Sequence, residues 1–341
     1  MHFTFRNVND AFEGMVTWFT QGQRQIVQTS SRNGPVLQCA TPIVVTYENP
    51  LDRVLFNTHR DANPFFHLYE SLWMLAGRSD VRPLAYYNSR IAQYSDDGIV
   101  FNGAYGARWR AAPTLDGYDN CDQLAELITH LRTKPDSRRA VLQMWNTPED
   151  LALIDISKDC CCNLCTMFMI NHGQLDMTVV NRSNDMIWGM FGANVCHFSF
   201  LHEYMAAGVG VPVGVYNQFS NNLHIYTDKF EPDKWLAFKP DEEHQYPVEG
   251  FVPLVRNLAR FDLECSEFVE RHSRDSLAGD YQEPFLAEVA QPMCIAFHHH
   301  KRRQYGDALS AVESIGAGDW YIAAKDWITK RKMIWEMKQH L

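Results

Sequence analysis

Residues 160–194 read CCCNLCTMFMINHGQLDMTVVNRSNDMIWGMFGAN, and the rest of the chain is read outward from this stretch. Its middle holds two runs, Cys165–Ile170 and Gln174–Asn181, separated by Asn171-His172-Gly173. Such runs around a glycine free to take positive φ predict two strands joined by a tight turn. Four cysteines in six residues, Cys160, Cys161, Cys162 and Cys165, lead into the hairpin, and Asn181-Arg182-Ser183-Asn184-Asp185 ends it. Adjacent cysteines cannot all converge on one tetrahedral zinc ion, and no second pair stands at finger spacing. Cys162 and Cys165 have CxxC spacing but no thioredoxin-like context. Buried small thiols on a strand are the plain alternative, so the cysteines alone assign no chemistry.

Working outward, Ala140–Trp145 predicts another strand, preceded by a Leu124–Arg132 helix that breaks at Lys134–Pro135. Pro64–Leu75 is apolar at helical spacing (Phe66, Tyr69, Leu72, Trp73) and stops at Gly77. Val36–Gln38 and Pro42–Tyr47 are β-rich, and Asp10–Thr20 predicts an amphipathic helix capped by Asn7 or Asn9. Downstream, Gly192–Gly208 carries Val195, Phe198, Leu201, His202 and Met205 at helical spacing, and the last hundred residues turn helical, ending in Trp320–His340. Mixed elements without regular βαβ alternation predict an α+β domain. Residues 1–235 are expected to form its core and 236–341 a helical part of the same domain.

The 341 residues carry a formal charge of −10, with 46% hydrophobic residues and 13% aromatics. That is globular composition, and it argues against a general basic face for nucleic acid. A single nucleotide needs only a few arginines. Arg32, the pair Arg138 and Arg139, and Arg182 all sit on turns beside serines, where a guanidinium can fork onto phosphate. The opening Met1–Asp10 is largely polar, no run is long enough to span a bilayer, and the nine cysteines are expected to be reduced in a cytosol. His298-His299-His300, followed by Lys301-Arg302-Arg303, reads as a solvated basic patch.

Cys162, Arg182-Ser183 with Asp185 and Gly189, Asn194, and His224-Ile225-Tyr226 together resemble the core signature of thymidylate synthases. Further matches are Glu70, Gly103–Arg110 and Asp136-Ser137-Arg138-Arg139. The resemblance implies that fold and one-carbon transfer to C5 of a pyrimidine nucleotide, with 5,10-methylenetetrahydrofolate as co-substrate and no metal. It implies a Cys162 thiolate that adds at C6, which makes C5 reactive by splitting one hard step into two. Arg182 is implied as the neighbour that lowers the thiol pKa. Arg32, Arg182 and Ser183 are implied to bind phosphate, together with Arg138 and Arg139 reaching from the second subunit of a homodimer. Asp185 is implied to hold the folate pterin, Glu70 to organise proton transfer, and Tyr105 to line the nucleophile's side of the pocket. His224 and Tyr226 are implied to bind the sugar 3′-hydroxyl.

Asn194 is the implied reader of the base. A carboxamide can accept from uracil N3–H and donate to O4, whereas cytosine offers the opposite pattern, so asparagine points to dUMP. This match needs one inserted residue within Met190–Asn194. The chain departs from the family at Asn163, Asn181 and Cys161, which stand for His, Gln and Pro. Ile91 falls near a tryptophan position that faces the folate, Tyr94 at a second, and Met337–Leu341 lacks the family's apolar tail. A wetter site would let water attack an exocyclic methylene before hydride does. These departures therefore favour a phage-type hydroxymethylase acting on dUMP in the host cytoplasm, in service of DNA-base modification. Thymidylate synthase and dCMP or CMP hydroxymethylase remain the alternatives. A non-catalytic nucleotide- or RNA-binding relative and a metal or redox centre at the cysteines are the rivals of other classes.

Overall fold

A computed structural model describes residues 1–21, 25–113, 120–240, 244–246, 250–273 and 279–339. The strands are β1 (His2–Phe5), β2 (Ile26–Ser31), β3 (Gly34–Cys39), β4 (Ile43–Tyr47), the short pair β5 (Ala112–Pro113) and β6 (Asn120–Cys121), β7 (Ala140–Gln143), β8 (Asn163–Asn171), β9 (Gln174–Asn181), β10 (Asn184–Asp185), β11 (Val213–Ser220) and β12 (Leu223–Tyr226). Six of them form the main sheet in the order β1-β4-β11-β9-β8-β7, with β1/β4 and β11/β9 parallel and the other pairs antiparallel. A second sheet runs β10-β12-β3-β2. The architecture is α+β.

The β8–β9 hairpin turns on two residues of positive φ, His172 at 51° and Gly173 at 77°, the geometry that matches the twist of its strands. Along β9, Leu175, Met177, Val179 and Asn181 alternate inward, as a half-buried strand requires. β8 starts at Asn163, two residues before its predicted beginning, so Asn163 pairs with Asn181 across the ladder.

The buried helix Val195–Val209 lies against the inner face of this sheet and ends at Gly210, whose φ is 89°. It starts three residues later than predicted. Before it, Met186–Asn194 winds in a wide π-type turn broken at Phe191 and Gly192, within the stretch where the resemblance needs an inserted residue. Such wide turns hold an extra residue inside a helix. The Pro64–Leu75 helix has its predicted bounds, with Asn63 Oδ1 accepting from Phe66 N–H. Asn7 caps the first helix, Val8–Thr20.

The helices Leu258–Ser273, Gln291–Lys301, Tyr305–Val312 and Gly318–Gln339 share one hydrophobic core with the sheet layer. His340, at the end of the predicted last helix, and Leu341 lie outside the described residues. The histidine run is not a solvated patch. His298 is buried with Nδ1 at 3.0 Å from Tyr86 Oη, and the His300 ring packs edge-on to Trp327. Of the six residues, only Lys301, Arg302 and Arg303 are exposed, because the run sits on the last turn of a helix facing the core. No described helix is long and apolar enough to cross a membrane.

One buried ion pair fixes the central helix. Arg53 Nη2 stands 2.7 Å from Glu203 Oε2, with its guanidinium over the Phe200 ring, and Glu203 Oε1 accepts from Leu254 N–H. Removing one partner strands the other charge. Arg53→Met is expected to lower unfolding stability by about 3–5 kcal/mol, and Arg53→Met with Glu203→Met to regain most of that loss. Urea denaturation of the single and double variants measures both.

Candidate active site

Cys162 stands at the entry to β8, on the floor of a cleft of about 700 Å³. Arg182, arriving at the end of β9, holds the cysteine segment in place. Its Nε donates to Cys161 O at 2.7 Å, Nη2 donates to Cys160 O at 2.9 Å, and Nη2 stands 3.6 Å from Cys162 Sγ. Tyr105 Oη accepts from Cys162 N–H at 3.3 Å and Asn163 N–H at 3.4 Å. Burial raises the Cys162 thiol pKa, and the nearby Arg182 offsets this only in part. The lowered pKa expected from the arginine is thus outweighed by desolvation. Cys161 is buried and points at the Gly103 and Met144 carbonyls, while all nine cysteines are free thiols.

The cleft wall gathers Arg32, Arg182, Ser183, Asp185, His224 and Tyr226 with Tyr105 and Cys162. Arg32 is exposed and donates to the Ser157 and Lys158 carbonyls. His224 Nδ1 lies 3.0 Å from Asn222 Oδ1, and Tyr226 Oη accepts from Asn33 Nδ2 at 3.4 Å. Asp185 caps the wide-turn segment, its Oδ1 accepting from the Ile187 and Trp188 amides at 2.7 Å each. Asp185 also lines the cleft. Burial raises the Asp185 pKa against these bonds.

A smaller cavity of about 200 Å³ adjoins the cleft, sharing Tyr94, Tyr105 and Asp159 with it, and is lined by Glu70, Ile91, Asn194 and His197 among apolar side chains. Glu70 is buried, with Oε2 at 2.8 Å from His197 Nε2. Asn194 Nδ2 donates to Asn184 Oδ1 at 3.1 Å, and Asn184 Nδ2 donates to Ser220 Oγ at 3.0 Å. A Cβ at Gly189 would stand 2.5 Å from Asn184 Oδ1, so only glycine lets this amide chain close. Arg138 and Arg139 are exposed at the start of β7 and are not among the residues lining the cleft of their own chain.

The sequence reading missed His197, Trp188 and Asn184. His197 carries a signal that a single sequence does contain, since it lies three residues after Asn194 and shares its helical face. Trp188 stands over the cleft with the Arg60 guanidinium 5.3 Å from its ring, and its position depends on the Asp185 cap. Among the described residues, no three His, Cys, Asp or Glu side chains gather as a metal ion would require.

The thymidylate synthase family model matches residues 20–256. A deoxyuridylate hydroxymethyltransferase of Pseudomonas phage M6 is 40% identical over 328 residues, 92% of this chain and 90% of that protein. A protein of the same name from Bacillus phage SP01 is 41% identical over 62% of this chain and 58% of its own length. A thymidylate synthase of Corynebacterium aurimucosum is 32% identical over 60% of this chain and 73% of its own length. The chain belongs to the thymidylate synthase family.

Proposed function

We propose that the protein hydroxymethylates C5 of dUMP, with 5,10-methylenetetrahydrofolate as one-carbon donor. The observation that carries this reading is Cys162 Sγ 3.6 Å from Arg182 Nη2 in a cleft that Arg32, Ser183 and Asp185 also line. The Cys162 thiolate adds to C6 of the base, which activates C5. Arg32, Arg182 and Ser183 bind the phosphate, His224 and Tyr226 the sugar, and Asn194 the uracil edge. Asp185, Ile91 and Trp188 present a carboxylate and apolar surface to the pterin. The 40% identity to a protein named deoxyuridylate hydroxymethyltransferase supports the hydroxymethyl product over the methyl one.

A homodimer belongs to this reading. The outer face of the main sheet exposes Val141, Met167 and Met169, an apolar surface on β7 and β8 that a second copy would cover. In this reading the exposed Arg138 and Arg139, just before β7, reach the cleft of the second copy.

Incubation with 5-fluoro-dUMP and methylenetetrahydrofolate tests the covalent step. A stable ternary adduct mapped to Cys162 by peptide mass spectrometry is expected. Its absence, or an adduct on another cysteine, overturns the assignment.

A further inference from the structure

A buried histidine in the small cavity has no role in the steps above. His197 is 3% exposed and lines the same small cavity as Glu70 and Asn194. Its Nε2 faces the Glu70 carboxylate at 2.8 Å, yet neither ring nitrogen has an aligned hydrogen-bond partner. Glu70 Oε2 is in the same position. Buried polar atoms without partners are unusual, and several around one cavity mark a place for a bound polar molecule. The remaining lining includes Trp73, Met74, Leu84, Ile91 and Phe101, so His197, Glu70 and Asp159 are the basic groups of a largely apolar chamber, and Asp159 Oδ2 already accepts from Gly103 N–H at 2.8 Å. Through Tyr105, which accepts from the Cys162 amide, the chamber adjoins the nucleophile.

We propose that His197, oriented by Glu70, binds and deprotonates the water that adds to the one-carbon unit. This rests on the hydroxymethylase reading above and names the residue that directs that outcome. The nucleotide at that stage carries Cys162 sulfur at C6 and a methylene doubly bonded to C5. The water oxygen bonds to the methylene carbon, and its proton passes to the histidine. The methylene π pair moves into the ring as an enolate on O4. Collapse of the enolate expels the Cys162 thiolate from C6 and restores the C5–C6 double bond. Nothing is oxidised or reduced. A histidine backed by a carboxylate suits the task, because the carboxylate fixes the ring and stabilises the imidazolium that forms. The chamber of about 200 Å³ has room for a water molecule beside His197 and Glu70.

The test separates loss of the C5 hydrogen from addition of water. In the native enzyme, tritium released from C5-tritiated dUMP and hydroxymethyl product should match one for one. In His197→Gln, dUMP binding measured calorimetrically without folate should stay within about threefold. Product per tritium released should fall about 100-fold or more, the usual worth of a general base. Added 2-mercaptoethanol should capture the stalled methylene as a thioether. If product and tritium release fall together, or neither changes, His197 has no part in the water step and the proposal is overturned. Where glutamine destabilises the fold, His197→Asn replaces it, and the product-to-tritium ratio of the folded variant decides in the same way. A native enzyme that yields no hydroxymethyl product at all refutes the underlying reading instead, whatever His197 does.

Discussion

Cys162→Ser lowers kcat/KM for dUMP by on the order of 10⁴-fold while dUMP binding changes little. A serine hydroxyl is a far weaker nucleophile at neutral pH, and Cys161 cannot replace the lost thiol. Cys161 faces away, toward the Gly103 and Met144 carbonyls, and burial pushes its pKa well up. The architecture around position 162 should survive, because Arg182 holds the segment through the Cys160 and Cys161 carbonyls rather than through the sulfur alone. Steady-state kinetics with calorimetric dUMP binding distinguishes lost chemistry from a lost site. A fall in binding that accounts for the whole loss of activity would contradict a nucleophilic role.

Asn194→Asp is expected to cost about 10³-fold in kcat/KM for dUMP and to make dCMP the better substrate. A site built to hydrogen-bond one donor-acceptor pattern rejects the opposite pattern strongly, because buried polar groups are left unpaired. The surroundings sharpen this result. Asn194 Nδ2 donates to Asn184 Oδ1, so a carboxylate at 194 would face another oxygen at about the same 3.1 Å. Asn184 must then rotate and give up its bond to Ser220 Oγ. The gain for dCMP should therefore be smaller than the loss for dUMP. Competition between the two nucleotides in one reaction reads the preference directly, and an unchanged preference would remove Asn194 as the base reader.

The elements that follow local rules were legible in the sequence. The Pro64–Leu75 helix carries apolar residues at helical spacing and a stop at Gly77, and the β8–β9 hairpin carries its turn glycine, so both are readable from residue chemistry. The wide turn over Met186–Asn194 was not, because its break at Phe191 and Gly192 is set by packing rather than by periodicity. The histidine run was misread for a related reason. Three polar residues look solvated in a string, and only the tertiary fold turns His298 onto Tyr86. At the site, the family resemblance implied a common place for Cys162, Arg182, Ser183, Asp185, His224 and Tyr226, and the fold gathers them in one cleft. The pairing of Glu70 with His197 joins positions 127 residues apart, taking 70 from 197, and becomes visible only once two helices meet.

Water that completes the reaction leaves its oxygen in the product, which incubation with dUMP and methylenetetrahydrofolate in heavy-oxygen water measures. A 5-hydroxymethyl product carrying the heavy oxygen is expected, with tetrahydrofolate released in equal amount. A methyl product with dihydrofolate, and no heavy oxygen in the nucleotide, would contradict it.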